Sequence, residues 1–505
     1  MKILSVLQTR QADAYTVAHE GISSIELMER ASRAFVNWFV PAFPLLRHQH
    51  IALLCGKGNN GGDGLAIARL LHDLGYQTRV YIVTSAGKSS ADFEINYERL
   101  RQYADIAVVN IDTAEDLPKF EPQDLLIDAM LGSGLSRPIT EGVLADIIHA
   151  INDLPNLVVA VDIPTGLFTD QRTAGAVIRA SYTCTFEYPK LSFLFPATYP
   201  YVGEFTIQPI GLSAAFIASA HTPNKYITAQ TVARFFKVRD KFAHKGVFGH
   251  ALLVVGSYGK MGAAILATKA CLRAGVGLVT VHVPTCGYEI MQTTVPEAMV
   301  SLDEDQHIFT RMYDIQKYTT VALGCGLSTK NKTRNALCYV LKNLTTPVVL
   351  DADALNILGQ SPDWLEFIPK NSILTPHPKE FERLFGVTHD DFHRYDLQRQ
   401  KAQELGVYVI LKGANTCIAT PEGNCYFNST GNPGMGTAGS GDVLTGILSG
   451  LLAQHYTPLE ACVLGVYLHG LSGDIAAEAK SQEALTAGDI IDFLGEAFKC
   501  IHGSR

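Results

Sequence analysis

Apolar residues recur along this 505-residue chain with more than one period. In "QTRQADAYTVAHEG" and then "SSIELMERASRAFVNWFV" they fall three and four apart. That spacing predicts two helices, the second opened by Ser23 or Ser24 with Glu26 in its first turn. Short runs that are apolar almost throughout follow: "HIALLC", "TRVYIVT", "DLLIDAM" and "LVVAVDIP". Helical spacing lies between some of them, near 90–104 and 141–152. Strands alternating with helices in this way predict a parallel sheet covered on both faces. "YTCTFEYPK" and "GEFTIQPIGL" are expected to finish the unit.

From about 211 to 244 the pattern loosens, with one helical stretch, "AQTVARFFKV". A second alternating series then begins. "HALLVVGS", "GLVTVHVP", "TTVALGCG", "TPVVLDADAL", "NSILTPHP", "YVILKG" and "TCIATPEG" read as strands, with helices over 262–274 and near 331–343, and two apolar helices follow "GSGD". The expected architecture is α/β in two domains, 1–215 and 226–505. No fixed-period repeat runs through the chain, so it is not a solenoid.

Composition narrows the function classes. With 47% hydrophobic and 18% charged residues the chain can bury substantial cores, and a net charge of −8 gives no electrostatic footprint for nucleic acid. No apolar run reaches the roughly 18 residues of a membrane span, and "MKILSVLQTRQAD" lacks the apolar core of a secretion signal. A cytoplasmic location is expected, with neither nucleic acid nor membrane as partner. The ten cysteines stand singly without a C-x-x-C pair and are read as small buried hydrophobes, with no thiolate metal site. "NST" at Asn428 is taken as a chance sequon.

Between the strand "IALLC" and a helical pattern lies "GKGNNGGDG". Glycines there let a backbone with unpaired N–H groups approach an anion at a helix start. The segment has neither a Walker lysine nor the spaced dinucleotide fingerprint, and Asn59, Asn60 and Asp63 add oxygens suited to a ligand or a hard cation. Two more strand ends carry similar chemistry. "IDAMLGSGLSRP" places Asp128 before a second glycine loop, and "AVDIPTGLFTD" places Asp162 and Thr165 at a third end. One Asp after a strand is usually a cap or turn former, but three such ends converge on one crevice in a doubly wound sheet.

These segments, with "LMERA" upstream and "FEYPK" downstream, resemble the NAD(P)HX epimerase domain over nearly all of 1–215. The resemblance implies a Rossmann-like three-layer α/β/α fold that interconverts the two epimers of hydrated nicotinamide cofactors, NADHX and NADPHX. It implies that Asn59, Asn60, Gly61, Gly62 and Asp63 hold the ligand together with Gly132, Ser133, Gly134, Leu135, Ser136, Arg137, Pro138 and Asp162. It also implies a potassium ion on Asn60, Asp128 and Thr165, the last a serine in many members. Epimerisation at C6 through an iminium-like species needs an acid for the departing hydroxyl, and Asp162 is the candidate.

"NPGMGTAGSGDVLTGILSGLLA" sets Gly439, Ser440, Gly441 and Asp442 at a helix start, where an anion cradle and a base together suit phosphoryl transfer. Alone, Asp442 could be a simple N-cap. In order along the chain, "HKGVFGHALLVVGS", "MGAAILATKACLRAGVGLVTV", "LDADAL", "LTPHPKEFERL" and "LKGANTCI" join it in resembling the ADP/ATP-dependent NAD(P)H-hydrate dehydratase, a ribokinase-like α/β fold, over about 226–500. The resemblance implies nucleotide contacts from Lys412, Gly413, Ala414, Asn415 and Thr416, and from Asn432, Pro433, Gly434, Met435, Gly436, Thr437, Ala438, Gly439, Ser440 and Gly441. It implies hydrate contacts from Gly326, His377, Pro378, Lys379, Glu380, Phe381, Glu382 and Arg383, with Asp442 as catalytic base. ADP or ATP with Mg²⁺ would phosphorylate the hydrate, phosphate would then leave, and NADH or NADPH would be regenerated. A homo-oligomer is expected.

The chain departs from the family at Cys325 and Ser328, where Pro and Gly are usual, at Lys379, usually Gly, and at Ala438, often Gly. Ala438 would be strained if that position had positive φ. A competing reading makes the second domain a kinase for a small alcohol such as a vitamin precursor, and the first a binding module.

Overall fold

In the computed structural model the run Ile51–Cys55 is buried on both faces. Ile51, Leu53 and Cys55 pack with Phe35, Phe39 and Leu65 on one side of a sheet, while Ala52 and Leu54 pack with Ile147 and Ile148 on the other. The structure describes residues 1–48, 50–86 and 88–503, so the last two residues of the expected second domain lie outside it. Two compact units emerge, Lys2–Thr222 and a second beginning at Pro223. Among the described residues no helix is long and apolar enough to cross a membrane.

The first unit holds a seven-stranded, all-parallel sheet: β1 (His50–Cys55), β2 (Gln77–Val83), β3 (Ala107–Ile111), β4 (Leu125–Ala129), β5 (Val158–Val161), β6 (Tyr182–Phe186) and β7 (Glu204–Gln208). Their order is β3-β2-β1-β4-β5-β6-β7. The chain works outward from β1 to β3 and returns to place β4 on β1's other side, which opens a crevice beyond the carboxyl ends of β1 and β4. Helices Val6–Glu20 and Ser24–Ala42 precede the sheet. The second starts from Ser23, whose backbone N–H donates to Glu26 at 2.7 Å. Strand β3 escapes the sequence pattern because it is the sheet's edge and exposes most of its side chains.

The second unit repeats the logic. Its strands are β8 (Asn224–Tyr226), β9 (His250–Val254), β10 (Leu278–Val283), β11 (Met299–Leu302), β12 (Thr320–Leu323), β13 (Val348–Leu350), β14 (Ile373–Leu374), β15 (Tyr408–Leu411), β16 (Cys417–Ala419) and β17 (Cys425–Phe427). They run β11-β10-β9-β12-β13-β14-β15-β16-β17-β8, with antiparallel pairing only where β16 meets β15 and β17. The switch point lies between β9 and β12. There the Ser257 hydroxyl donates to the Gly326 carbonyl at 2.7 Å and the Gly256 N–H to the Cys325 carbonyl at 2.8 Å. Seven of the ten free cysteines are buried, the expected hydrophobes, but Cys500 is exposed and Cys286 and Cys338 are half-buried. Asn428 is buried, and its amide donates to the Thr430 carbonyl at 2.9 Å, so the sequon asparagine is a structural staple.

Helix Ser440–Ala453 lies against helix Met261–Arg273 with almost no space between their backbones: a Cβ on Gly446 would sit 2.2 Å from the Ala267 carbonyl oxygen. That approach holds the start of Ser440–Ala453 at the switch point. The strain anticipated at Ala438 does not arise, because the left-handed residue is its neighbour Gly439, φ 91°. It falls instead on Ser328, φ 80°, whose N–H donates to Asp353 at 2.8 Å.

Two stability predictions follow from this geometry, both read from the second unit's urea transition. Alanine usually stabilises a helix by about 1 kcal/mol over glycine. Gly495→Ala, in open space on helix Leu494–Gly503, should show that gain, whereas Gly446→Ala should lose at least as much through overpacking. Ser328→Gly should raise the midpoint, since left-handed backbone costs an L-residue about 1–2 kcal/mol and glycine's extra unfolded-state entropy offsets only part of that.

Candidate functional site

In the first unit, helix Asn59–Asp73 begins almost at once after β1, with Gly58 as its N-cap. Asn59 to Asp63 therefore form its first turn and not a loop ahead of it. Asn59, Asn60 and Asp63 line a cavity of about 790 Å³. Gly61 and Gly62 do not line it: a Cβ on Gly61 would lie 1.8 Å from the Gly56 carbonyl oxygen, and one on Gly62 2.9 Å from the Met28 sulfur. They are small so that the helix start can close onto its surroundings. Gly132, Ser133, Gly134, Leu135 and Ser136 form a second wall, while Arg137 and Pro138, exposed, are not part of it. Positive charge comes from Arg10, whose Nη2 lies 3.1 Å from where a Cβ on Gly134 would be, and from Lys88.

Behind this wall Asp128, at the end of β4, is fully buried and receives the Thr165 N–H and hydroxyl, both at 2.7 Å, and the Met130 N–H at 3.2 Å. Burial outweighs these bonds and pushes its carboxyl up to about 6. Asn60 is buried too, with its amide Nδ2 lacking a hydrogen-bond partner among the described residues. Asp128 and Thr165 are thus joined directly, and Asn60 packs against Gly132 beside them.

Asp162 has the left-handed backbone expected of glycine, φ 64°, pinned by its N–H on the Cys184 carbonyl at 2.8 Å. Its Oδ1 accepts from Lys190 Nζ at 2.7 Å, the Phe186 N–H at 3.1 Å and the Thr185 hydroxyl at 3.2 Å. Lys190 is 3% exposed, so the ion pair is nearly dry on one side. Three donors, one of them an ammonium, thus meet on one oxygen of Asp162. Asp13, from helix Val6–Glu20, and Asp63 share the cavity. Burial and then the charge of Asp162 push Asp13 up to about 6 and hold Asp63 well above the carboxylate range.

In the second unit Asp442 lies in the first turn of Ser440–Ala453, and the N-cap is Gly439, so Asp442 is not the cap. Its carboxyl lies within 4.8 Å of Cys325 Sγ and an Asp351 oxygen. Burial pushes Asp442 up to about 6. Asp351 takes the Lys412 ammonium at 2.9 Å on one oxygen and the Thr445 hydroxyl at 2.9 Å on the other. Burial works against the Lys412 charge, but Asp351 and Glu380 outweigh it and hold the ammonium above its ordinary range. Glu380 in turn accepts the His377 N–H at 2.9 Å. A polar network thus runs from His377 through Glu380 and Lys412 to Asp351, with Asp442 beside its far end.

Not every expected residue joins it. Phe381 is fully buried and packs on Phe385, Arg383 is committed to Asn356 at 2.7 Å, and Glu382 lies 4.0 Å from Arg394, so the segment turns only His377 and Glu380 toward the network. Pro378 and Lys379 are exposed in that helix's first turn. Gly413 and Thr416 close a tight turn, with Ala414 and Asn415 at its tip. Asn432 caps Pro433–Met435 and donates to Asp474 at 2.9 Å. Gly434, Met435, Gly436, Thr437 and Ala438 follow it into Gly439, while Gly441 faces Lys412, a Cβ there lying 3.3 Å from Nζ. Gly326, φ 63°, packs against Lys260 and Ala263.

Sequence reasoning did not single out Asp13, Arg10, Lys88, Lys190, Asp351, Thr445 or His469. His469 is held neutral by burial, which lowers it to about 4, and its Nε2 lies 3.0 Å from the Ser440 carbonyl. The lysine in "FEYPK" and the first acid of "LDADAL" stood inside quoted motifs; the residues on helix Val6–Glu20 carried no signal beyond polarity.

Comparison with known proteins bears on both units. Residues 24–192 match the family model described as YjeF-related protein N-terminus, and residues 251–495 that described as NAD(P)H-hydrate dehydratase. The chain is 36% identical over 524 residues to a bifunctional NAD(P)H-hydrate repair enzyme of Moorella thermoacetica, covering 98% of this chain and 96% of that one. It is 33% identical over 478 residues to the enzyme of the same name in Escherichia coli, covering 94% and 89%. Among solved structures, an ADP/ATP-dependent NAD(P)H-hydrate dehydratase from Bacillus subtilis, co-crystallized with ATP/Mg²⁺, is 30% identical, covers 55% of this chain and 98% of its own, and superposes with a TM-score of 0.49. End-to-end identity at that level, with both family models in order along the sequence, shows that the chain belongs to the family of bifunctional NAD(P)H-hydrate repair enzymes.

Proposed function

We propose that the first domain interconverts the R and S epimers of hydrated NAD(P)H and that the second dehydrates the S epimer to NADH or NADPH at the expense of ADP or ATP. The observation that carries this reading is the same construction at both switch points: a helix start whose first N–H groups have no partner within the helix, beside a carboxyl, Asp13 or Asp442, that burial has raised. In the first domain the start of Asn59–Asp73, the Gly132–Ser136 wall, Arg10 and Lys88 would grip the cofactor's phosphates, with the hydrated ring near Asp162 and Lys190. Ten free cysteines suit the reducing cytoplasm, where such cofactors are used.

The residues at the end of β4 fit a potassium ion. Among the described residues Asp128 is buried without a cation partner and the Asn60 amide has an unpaired atom, and Thr165 adds a hydroxyl oxygen. A buried carboxylate needs a countercharge. With its amide turned, Asn60 would offer Oδ1 to the ion. Potassium would supply that charge and tie the second glycine loop to the first.

In the second domain Asp442 would take the proton of the C6 hydroxyl as its oxygen attacks the terminal phosphoryl group. The N–H groups at Gly439–Gly441 would receive the developing charge. Lys412, fixed by Asp351, would hold phosphate oxygens. The ring nitrogen's lone pair then expels phosphate, and loss of a proton from C5 restores the dihydropyridine. When bound, Mg²⁺ would neutralise phosphate charge. Because Asp351 already serves Lys412 and Thr445, the ion would rest mainly on the nucleotide and water, as this metal commonly does.

Full-length protein given mixed NADHX epimers and ADP or ATP should convert all of it to NADH. Asp442→Asn should lower NADH formation by about 100- to 10,000-fold, the usual worth of a general base, while leaving epimerisation intact. Asp162→Asn should consume the S epimer at the normal rate and leave the R epimer to spontaneous interconversion. A stable phosphorylated product accumulating in place of NADH would favour the small-alcohol kinase reading instead. Potassium should raise the melting temperature of the first domain above that in choline chloride of equal ionic strength, and Asp128→Asn should abolish the difference.

A further inference from the structure

We propose that epimerisation uses two carboxyl groups of opposite protonation, and that Asp13, on helix Val6–Glu20, is the catalytic acid that hands a proton to the departing hydroxyl, with Asp162 as the base. This rests on reading the first unit's cavity as the epimerisation site.

The two side chains meet different surroundings in one cavity. Asp162, which lines the cavity, is held by Lys190, Phe186 and Thr185 on a single oxygen, and among the described residues no hydrogen-bond donor reaches its other oxygen. Among the described residues no hydrogen-bond donor reaches the Asp13 carboxyl. It stands half-buried on the inner side of its helix, between the buried residues Ala12 and Thr16. A carboxyl with no donor, partly desolvated and close to an existing negative charge, holds its proton to a higher pH than an exposed aspartate does. Burial and Asp162 together raise Asp13 to about 6, with Lys190 opposing. A carboxyl raised in this way beside one bound to an ammonium suits the acid of an acid–base pair. The groups that face Asp13 are Arg10 from its own helix, Asp63 and Lys88, Asp92 from helix Ala91–Leu100, and Tyr188 and Lys190 from the segment after β6. Tyr188 is itself raised by burial and bonded to the Thr9 hydroxyl at 2.9 Å, so it stays neutral. Asp63 is the only other raised carboxyl on this wall, and its Ser32 contact ties it to the helix behind.

The step balances without oxidant or reductant. The Asp13 proton passes to the C6 hydroxyl, the C6–O bond breaks with its pair leaving on water, and the N1 lone pair forms a double bond to C6. Water then adds to the opposite face, its proton passes to Asp162, and N1 recovers its pair. Proton exchange with solvent returns both carboxyls to their starting states.

Separated R or S NADHX is incubated with the full-length protein without nucleotide, and interconversion is followed by chromatography across pH. Wild type should slow as pH rises through the Asp13 titration. Asp13→Asn should lose about 100- to 10,000-fold in kcat with KM within about threefold, and should lose that alkaline fall. Asp13→Glu should recover part of the rate. An Asp13→Asn protein with wild-type kcat and pH profile overturns the proposal while leaving the epimerase reading intact, as does loss of the alkaline fall in Asp63→Asn instead. A wild-type protein that does not interconvert the epimers removes the reading beneath it.

Discussion

A helix that starts at the switch point of a parallel sheet has four N–H groups with no partner inside the helix. In each half of this chain that shortage is placed where the sheet order reverses, after β1 in one and beside β12 in the other. Everything around the two starts is arranged to keep them there. Gly61 and Gly62 let the first helix close onto the backbone after β1 and onto Met28, and Gly446 lets the second lie against helix Met261–Arg273. These residues touch no expected ligand group; they set where the unpaired donors point.

The carboxyls beside those starts divide by whether the protein supplies a cation. Asp351 has Lys412 and Asp162 has Lys190, each pair close to 2.8 Å, at 2.9 and 2.7 Å. Asp13, Asp128 and Asp442 have none in hydrogen-bond contact, and burial raises each to about 6. The first group is held in place by an ammonium and can orient or accept. The second changes charge near neutrality or awaits an external cation. The contrast comes from placement, since all five are aspartates, four at or near element ends and Asp13 in the middle of helix Val6–Glu20.

Much of this was legible in the sequence because glycine and aspartate at strand ends carry their own signal. The strands β1, β4 and β5 and the glycine segments after the first two could be read from the alternation of apolar runs and small residues. The edge strands β3, β8 and β11 could not, being short or exposed, so that they lack the continuous apolar run of a central strand. Helix Val6–Glu20 was legible as a helix, but Arg10 and Asp13 look there like any solvated polar residues. Only the fold that folds this helix over the cavity gives them a partner. Phe381 shows the reverse error: a motif carried it into the expected site as one block, while helical periodicity turns it into the core.

The departures from the family pattern illustrate how Asp442, the base proposed for the second domain, is tuned. Cys325 stands where a proline is usual, fully buried between Gly324 and Gly326, with Asp351 and Asp442 around its sulfur. Burial first, and then the two negative charges, push the thiol well above its ordinary range, so it stays protonated and does not compete as a nucleophile. A proline offers no donor at that point, whereas the Cys325 thiol donates to Asp351 Oδ2 at 3.8 Å and lies beside the Asp442 carboxyl. The thiol lowers Asp442 against the rise that burial imposes, Asp351 pushes it back up, and Lys412 draws it down again. The resulting position near 6 leaves Asp442 mostly ionised at neutral pH yet basic enough to take a proton. Such a balance suits the proposed role, in which the group accepts the hydroxyl proton only while the phosphoryl group is being transferred.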